Sequence, residues 1–181
     1  MQAHDETHFD VREDRRLPAR APLISLPVRP ENIFQFPEGV PAFESVREFV
    51  FLAEPDTRPF FFMQAVGPAA VRFVCIDPFL ICPGYRPNLS ASDVRFLGLM
   101  RPEDAFVASI VTVTQDPRDM VANLQGPVIV NLCTRVGRQI ICDGQTYPVR
   151  YNVSDAIGRA ERAPHKEPVQ LGSGTGVETG G

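Results

Sequence analysis

Apolar positions along this chain fall in short runs, each stopped by proline, glycine or a charged residue. Runs of about four to eight such residues, alternating or continuous and bounded by turn formers, mark β-strands. On that pattern strands are predicted at residues 32–36, 47–52, 60–65, 71–76, 105–114, 128–132, 138–142 and 147–151. The clearest is 105–114, where Val107, Ile110, Val111 and Val113 sit among small and hydroxyl residues. Thr134-Arg135-Val136-Gly137 and Asp143-Gly144 divide the last three runs. Both read as hairpin turns, since glycine supplies the positive φ that tight turns need.

Helical periodicity is scarce. Ser90-Ala91-Ser92-Asp93 resembles a capping box and leads into Val94-Arg95-Phe96-Leu97 before Gly98 stops it. Asp116-Pro117 sets a proline at a first-turn position. Many strands with short links and few helices predict a mainly β fold. Its expected form is a small antiparallel β-barrel, closed or nearly closed, with one or two short helices. Composition divides the chain in three. Residues 1–31 set arginines against acids and are interrupted by Pro18, Pro22, Pro27 and Pro30, which predicts a flexible arm. Residues 32–151 form the folded domain, and 152–181 are predicted to be a flexible Gly-rich tail.

Charge narrows the partners. Twenty-two acids against 18 Lys and Arg give a net charge of −4, with no basic cluster. Nucleic-acid binding rests on basic patches, so direct RNA or DNA binding is not expected, and a basic protein partner suits the chain better. The N-terminus is polar and acidic, and no apolar run is long enough to cross a membrane, so the expected location is the cytoplasm. Cys75, Cys82, Cys133 and Cys142 match no common zinc spacing. They read as small buried hydrophobes kept reduced, with a zinc site as the alternative. His4, His8 and His165 lie in the two arms, and no phosphate-binding glycine motif is present. The sequence therefore assigns no catalytic, cofactor-binding or metal residues, and the chain is read as a binding protein rather than an enzyme.

Three segments in order carry a resemblance. They are Phe36-Pro37-Glu38-Gly39-Val40-Pro41-Ala42-Phe43-Glu44, then Phe73-Val74-Cys75-Ile76-Asp77-Pro78-Phe79-Leu80 with Pro83-Gly84-Tyr85. The third is Ile110-Val111-Thr112-Val113 with Met120-Val121-Ala122-Asn123-Leu124-Gln125-Gly126-Pro127 and the strand after it. The set resembles the FliW family of flagellar assembly factors across residues 33–151. The chain departs from that family's usual pattern at Ala42 (usually Gly), Phe62 (Trp), Val121 (Thr) and Gly126 (Ala). The resemblance implies two alternative protein partners. One is flagellin, held near its C-terminal region before export. The other is CsrA, the dimeric translational repressor of flagellin mRNA, whose repression the factor relieves by binding away from the RNA surface. A second class of function, a small barrel enclosing an apolar small-molecule ligand, competes with it. The discriminator is whether the interior is filled by its own side chains.

Candidate partner-binding residues are Phe36, Pro37, Phe43, Asp77, Pro78, Phe79, Asp116, Asp119 and Asn123. Each also has a plainer role. Phe36-Pro37 ends a strand, with Phe36 and Phe43 as core residues or as an exposed ledge. Asp77 starts a turn before Pro78-Phe79, and 77–85 is either a packed lid or an apolar patch able to receive an amphipathic helix. Asp116 and Asp119 share one short segment and are the first choice for steering a basic partner. Asn123 has an amide suited to loose backbone groups between two elements.

Overall fold

The computed structural model describes residues 28–142 and 147–162. Among them are nine strands and three α-helices. The strands are β1 (Phe34–Gln35), β2 (Glu48–Leu52), β3 (Phe61–Ala65), β4 (Arg72–Ile76), β5 (Ala105–Thr112), β6 (Val121–Ala122), β7 (Val128–Asn131), β8 (Gly137–Gln139) and β9 (Tyr151–Asn152). The helices are α1 (Pro78–Ile81), α2 (Ala91–Leu97) and α3 (Val153–Arg162).

Every strand pairing is antiparallel, and β1 to β5 form a simple meander. Beyond β5 the sheet divides. Residues 105–108 of β5 pair with β7, while Val111 and Thr112 pair with β6, which in turn pairs with β9. One long strand therefore serves two neighbours on the same edge, and the chain must switch between them within residues 123–127. Asn123 makes the switch: its N–H donates to Ile110 O, and its Oδ1 accepts from Gly126 N at 2.8 Å. Tyr85 Oη, deep in the core, donates to Leu124 O at 2.7 Å, and Gln139 Nε2 donates to Gly126 O.

The expected barrel is not what the ladder forms, because the sheet is not closed. β1 meets the strand beyond it only through one parallel bridge, Gln35 to Val136. The reason is local: Pro37 has no N–H to extend the pairing, and Gly39, at φ +71°, turns the chain away.

Two apolar clusters flank the strands. One is phenylalanine-rich: Phe34, Phe36, Phe49, Phe51, Phe61 and Phe106 are buried, with edge-on contacts such as Phe36–Phe49 at 5.0 Å and Phe51–Phe106 at 5.4 Å. The other lies under the helices and gathers Tyr85, Leu89, Leu97, Val107, Leu124, Ile129 and Val153. Successive residues of β5 and β7 alternate between the two clusters, so both faces are covered. That explains their continuous apolar character. Ser109, fully buried in β5, has no hydrogen-bond partner for its hydroxyl among the described residues. Ser109→Ala is therefore expected to raise stability by about 1 kcal/mol, read as a higher melting temperature, because it removes an unpaired buried donor.

Several predicted elements shift. The first strand loses its start to a 3₁₀ turn at Pro30–Asn32. The last predicted strand shrinks to β9, since Pro148 cannot donate. The strand at 138–142 is short by ladder, yet Ile140 N still reaches Pro127 O and Cys142 N reaches Gln125 O. The capping box at Ser90 and Asp93 forms as read, and Gly98 closes α2 at φ +66°. Asp116 caps a 3₁₀ turn at Pro117–Asp119. Helix α1 stands where neither strand nor helix was assigned. Helix α3 occupies the start of the stretch read as tail, docking through Val153 and Ala156 against α1 and the 117–119 turn. The 134–137 turn uses Arg135 for its positive φ of +62°, not Gly137. Gly137 is needed for space: a Cβ there would lie 2.4 Å from the Phe36 ring. The Asp143-Gly144 turn lies outside the described residues. Cys75 and Cys142 are buried as expected, Cys82 is half-buried, and Cys133 is exposed at the end of a turn.

Candidate functional site

Eight of the nine candidate residues gather in two places. Phe36, Pro37 and Phe43 belong to the loop leaving β1. Asp77, Pro78, Phe79, Asp116 and Asp119 lie around α1, α3 and the 117–119 turn, which pack together. Asn123 holds the strand switch described above and is a structural residue.

At α1, Asp77 is the N-cap, its Oδ1 accepting from Phe79 N at 2.9 Å. Phe79 packs edge-on against Tyr85 with ring centroids 5.7 Å apart, and Pro78 and Ile81 are buried. Stretch 77–85 is thus a packed lid over most of its length; Leu80, at 45% exposure, is its exposed large apolar side chain, and Pro83 and Gly84 are also exposed. At the neighbouring turn, Asp116 grips the Arg118 guanidinium, with Nη2 to Oδ2 at 2.6 Å, and accepts from Arg118 N. The Arg118 side chain and backbone hold the Asp116 carboxyl below the usual carboxylate range. One member of the Asp116/Asp119 pair is therefore already engaged by an arginine, while Asp119 is exposed and forms no ion pair among the described residues.

The β1 loop is more open. Phe36 is buried in the phenylalanine cluster, whereas Phe43 is 37% exposed and rests edge-on against Phe73 at 5.3 Å. Pro37 is exposed and its carbonyl accepts from the Arg47 guanidinium. Glu44 Oε1 accepts from Ala42 N at 2.9 Å. Backbone N–H donors, its own first and that of Ala42 next, hold the Glu44 carboxyl below its ordinary value, so it stays ionised. Ala42 stands at φ +70°, where the family's usual glycine costs nothing. Ala42→Gly is expected to stabilise the chain by about 0.5–1 kcal/mol, the left-handed strain removed less the entropy glycine adds to the unfolded state. Chemical denaturation would read it as a higher midpoint at unchanged slope.

This loop forms one wall of a cleft of about 320 Å³ that sequence reading did not find. Arg138 stands at its centre, with Nε 3.0 Å from Glu38 Oε2, Nη1 2.9 Å from Asp93 Oδ1, and its guanidinium 4.7 Å from the centre of the Phe96 ring. Glu44, Gln139 and Ile141 are also among its lining residues. No spacing rule links Glu38, Asp93 and Arg138, which come from three separate elements; only the fold brings them together. Among the described residues, no group of three or more His, Cys, Asp or Glu is placed to hold a metal ion. No helix among them is long and apolar enough to cross a membrane. His4, His8 and His165 lie outside the described residues.

Comparison with known proteins decides the family. The model for "FliW protein" matches residues 21–153. The chain belongs to the FliW family. The "Flagellar assembly factor FliW" of Moorella thermoacetica is 38% identical over 130 residues, covering 71% of this chain and 82% of the relative. That of Caldicellulosiruptor saccharolyticus is 40% identical over 126 residues, covering 70% and 82%. A solved structure, "Crystal structure of the flagellar assembly factor FliW", superposes with a TM-score of 0.66 at 30% identity, covering 71% of this chain and 89% of that one. The mainly antiparallel sheet with a few short helices is thus a FliW fold, and the family's role lies in flagellum biogenesis and assembly.

Proposed function

We propose that this chain is a cytoplasmic flagellar assembly factor that works by binding proteins. It holds flagellin through the C-terminal region of that partner. When flagellin is absent it binds CsrA and relieves repression of flagellin mRNA, without touching the RNA itself. The observation that carries the reading is the FliW family match along residues 21–153. Charge supports it: a net −4 disfavours binding nucleic acid through counterion release, and a basic partner suits it. The interior also favours protein binding over an enclosed ligand, because the rings of Phe34, Phe36, Phe49, Phe51, Phe61 and Phe106 occupy it themselves. Reading α1 as a lid leaves Leu80 as the exposed apolar contact on that side.

Gel filtration at micromolar concentrations is expected to show a complex with full-length flagellin, lost when the C-terminal region of flagellin is removed. In a mobility-shift assay the protein alone leaves flagellin leader RNA unshifted, and added to a CsrA–RNA complex it frees the RNA. Failure to bind either protein, or a shift of RNA by the chain alone, would overturn the proposal.

A further inference from the structure

The cleft beside Arg138 has an open sheet edge for its floor. Ile140 N bonds to Pro127 O and Cys142 N to Gln125 O, so these residues turn their backbone groups toward the linker before β7. In an antiparallel ladder the residues between them face the other way. The backbone groups of Gln139 and Ile141 accordingly point away from β7, on the side where β1 has already departed at Pro37. Both residues line the cleft, and the Ile141 side chain is 67% exposed. An unpaired edge two residues apart is a template for an added extended strand. The rim sets the charge of what fits: Glu38, Glu44 and Asp93 against one arginine, Arg138, which already engages Glu38 and Asp93.

We propose that this edge receives the chain's own residues 15–20, Arg15-Arg16-Leu17-Pro18-Ala19-Arg20, as an extended segment held by arginine–carboxylate pairs and by Leu17 against Ile141. Charge complementarity is direct, since between Asp14 and Glu31 the chain carries Arg15, Arg16, Arg20 and Arg29 and no acid. Guanidinium groups pair with carboxylates in two-pronged fashion, which a lysine segment would not reproduce. The tether is long enough. Arg16 is twelve residues before Val28, and Val28 is ten before Glu38. At roughly 3.3–3.6 Å per extended residue, the segment spans more than the largest possible separation of Val28 from Glu38. Tethering supplies an effective concentration in the millimolar range, enough to hold a contact too weak to form between separate molecules. The segment lies before residue 21, where the family match begins, so this contact is a feature added to the family's fold. It places an internal competitor on a face that a basic partner would otherwise use.

The test is a photo-crosslinking residue, p-benzoylphenylalanine, at exposed position 141 of the full chain, mapped by mass spectrometry on a mixture of light and heavy isotope-labelled protein. The expected adduct joins position 141 to residues 15–20 of the same chain. Its yield falls by about fivefold or more in the R15Q/R16Q/R20Q variant, and similarly at about 0.5 M salt, where exposed ion pairs are screened. The proposal is overturned if no adduct reaches residues 15–20, or if the adduct survives the triple substitution undiminished. Adducts joining light to heavy copies would also overturn it, in favour of a second molecule on the edge. Neither flagellin nor CsrA enters the experiment, so its result is independent of the function proposed above.

Discussion

Gly39→Ala is expected to be among the most damaging single changes in this chain, lowering stability by about 3–5 kcal/mol, out of the 5–15 kcal/mol typical of a domain. Two costs combine. Gly39 sits at φ +71°, a left-handed conformation that costs a residue with a Cβ about 1–2 kcal/mol. The added Cβ would also lie 2.6 Å from Glu44 Cα and 2.8 Å from the carbonyl oxygens of Glu44 and Phe43. These are backbone atoms, which cannot swing aside as a side-chain tip can, so the loop itself must shift. Gly67 provides the control: its φ is +94°, but nothing lies within 4 Å of the position a Cβ would take. Gly67→Ala should therefore cost only the conformational part, about 1–2 kcal/mol. Denaturant unfolding of the two variants side by side measures the difference. Equal losses would show that the Gly39 loop relaxes freely. Because loop 38–44 carries Glu38 and Glu44 to the cleft, the Gly39 variant should also lose the Arg138–Glu38 pair, 3.0 Å in the native fold.

Asn131→Leu is expected to cost about 2–4 kcal/mol although leucine is close to asparagine in size, because each buried polar group left unpaired costs about 1–3 kcal/mol. Asn131 is 1% exposed at the end of β7 and uses its whole amide. Nδ2 donates to Leu97 O at 3.0 Å and Gly98 O at 2.9 Å, while Oδ1 accepts from Cys133 N at 2.7 Å and Thr134 N at 3.1 Å. One side chain thus closes the C-terminus of α2 and the turn into β8 together. Leucine leaves Leu97 O and Gly98 O without this donor, while water can reach the exposed turn. The signature should be local as well as global: faster amide hydrogen exchange at residues 133–136 and at the end of α2. Thr134→Val removes the hydroxyl's bond to Leu97 O at 3.1 Å and the longer one it accepts from Val136 N at 3.4 Å, and should cost about 1 kcal/mol. A loss for Asn131→Leu as small as that would mean that the amide merely decorates the turn.

The strand set was legible because apolar runs and their stops are local signals. β2, β3 and β4 lie within a residue of their predicted bounds, since each faces the phenylalanine cluster and ends at a turn former. The capping box of α2 was legible for the same reason, four neighbouring residues satisfying one another's backbone. Elements set by distant contacts were not legible. Helix α1 has four residues and is held by its cap and by burial of Pro78 and Ile81, leaving no periodicity to read. Helix α3 begins where Val153 N bonds to Met120 O and Asn152 Nδ2 to Arg118 O, partners more than thirty positions away. The split edge of β5 could not be foreseen, because a strand's sequence does not state how many neighbours share it.

The candidate residues divide in the same way. Asp77 was read as a turn former from the residues around it and caps its turn, whereas Asp116, read as a steering acid, also proves to be a cap. That Asp116 would be taken up by Arg118 depends on a side-chain rotamer rather than on spacing. Nothing in Glu38, Asp93 and Arg138 as separate positions announces a cleft, for they stand up to 100 residues apart. The sequence by itself determined a mainly β protein of the FliW family, with an acidic balance and its phenylalanines in the core. Those properties follow from composition, local patterning and ordered motifs, which survive without coordinates. Tertiary structure alone decided that the sheet stays open after Pro37, that Gly137 is glycine to make room for Phe36, and that an acid-rimmed edge lies exposed beside Arg138. Each of these depends on which chain segments meet across space, and local physical chemistry leaves that choice to the fold as a whole.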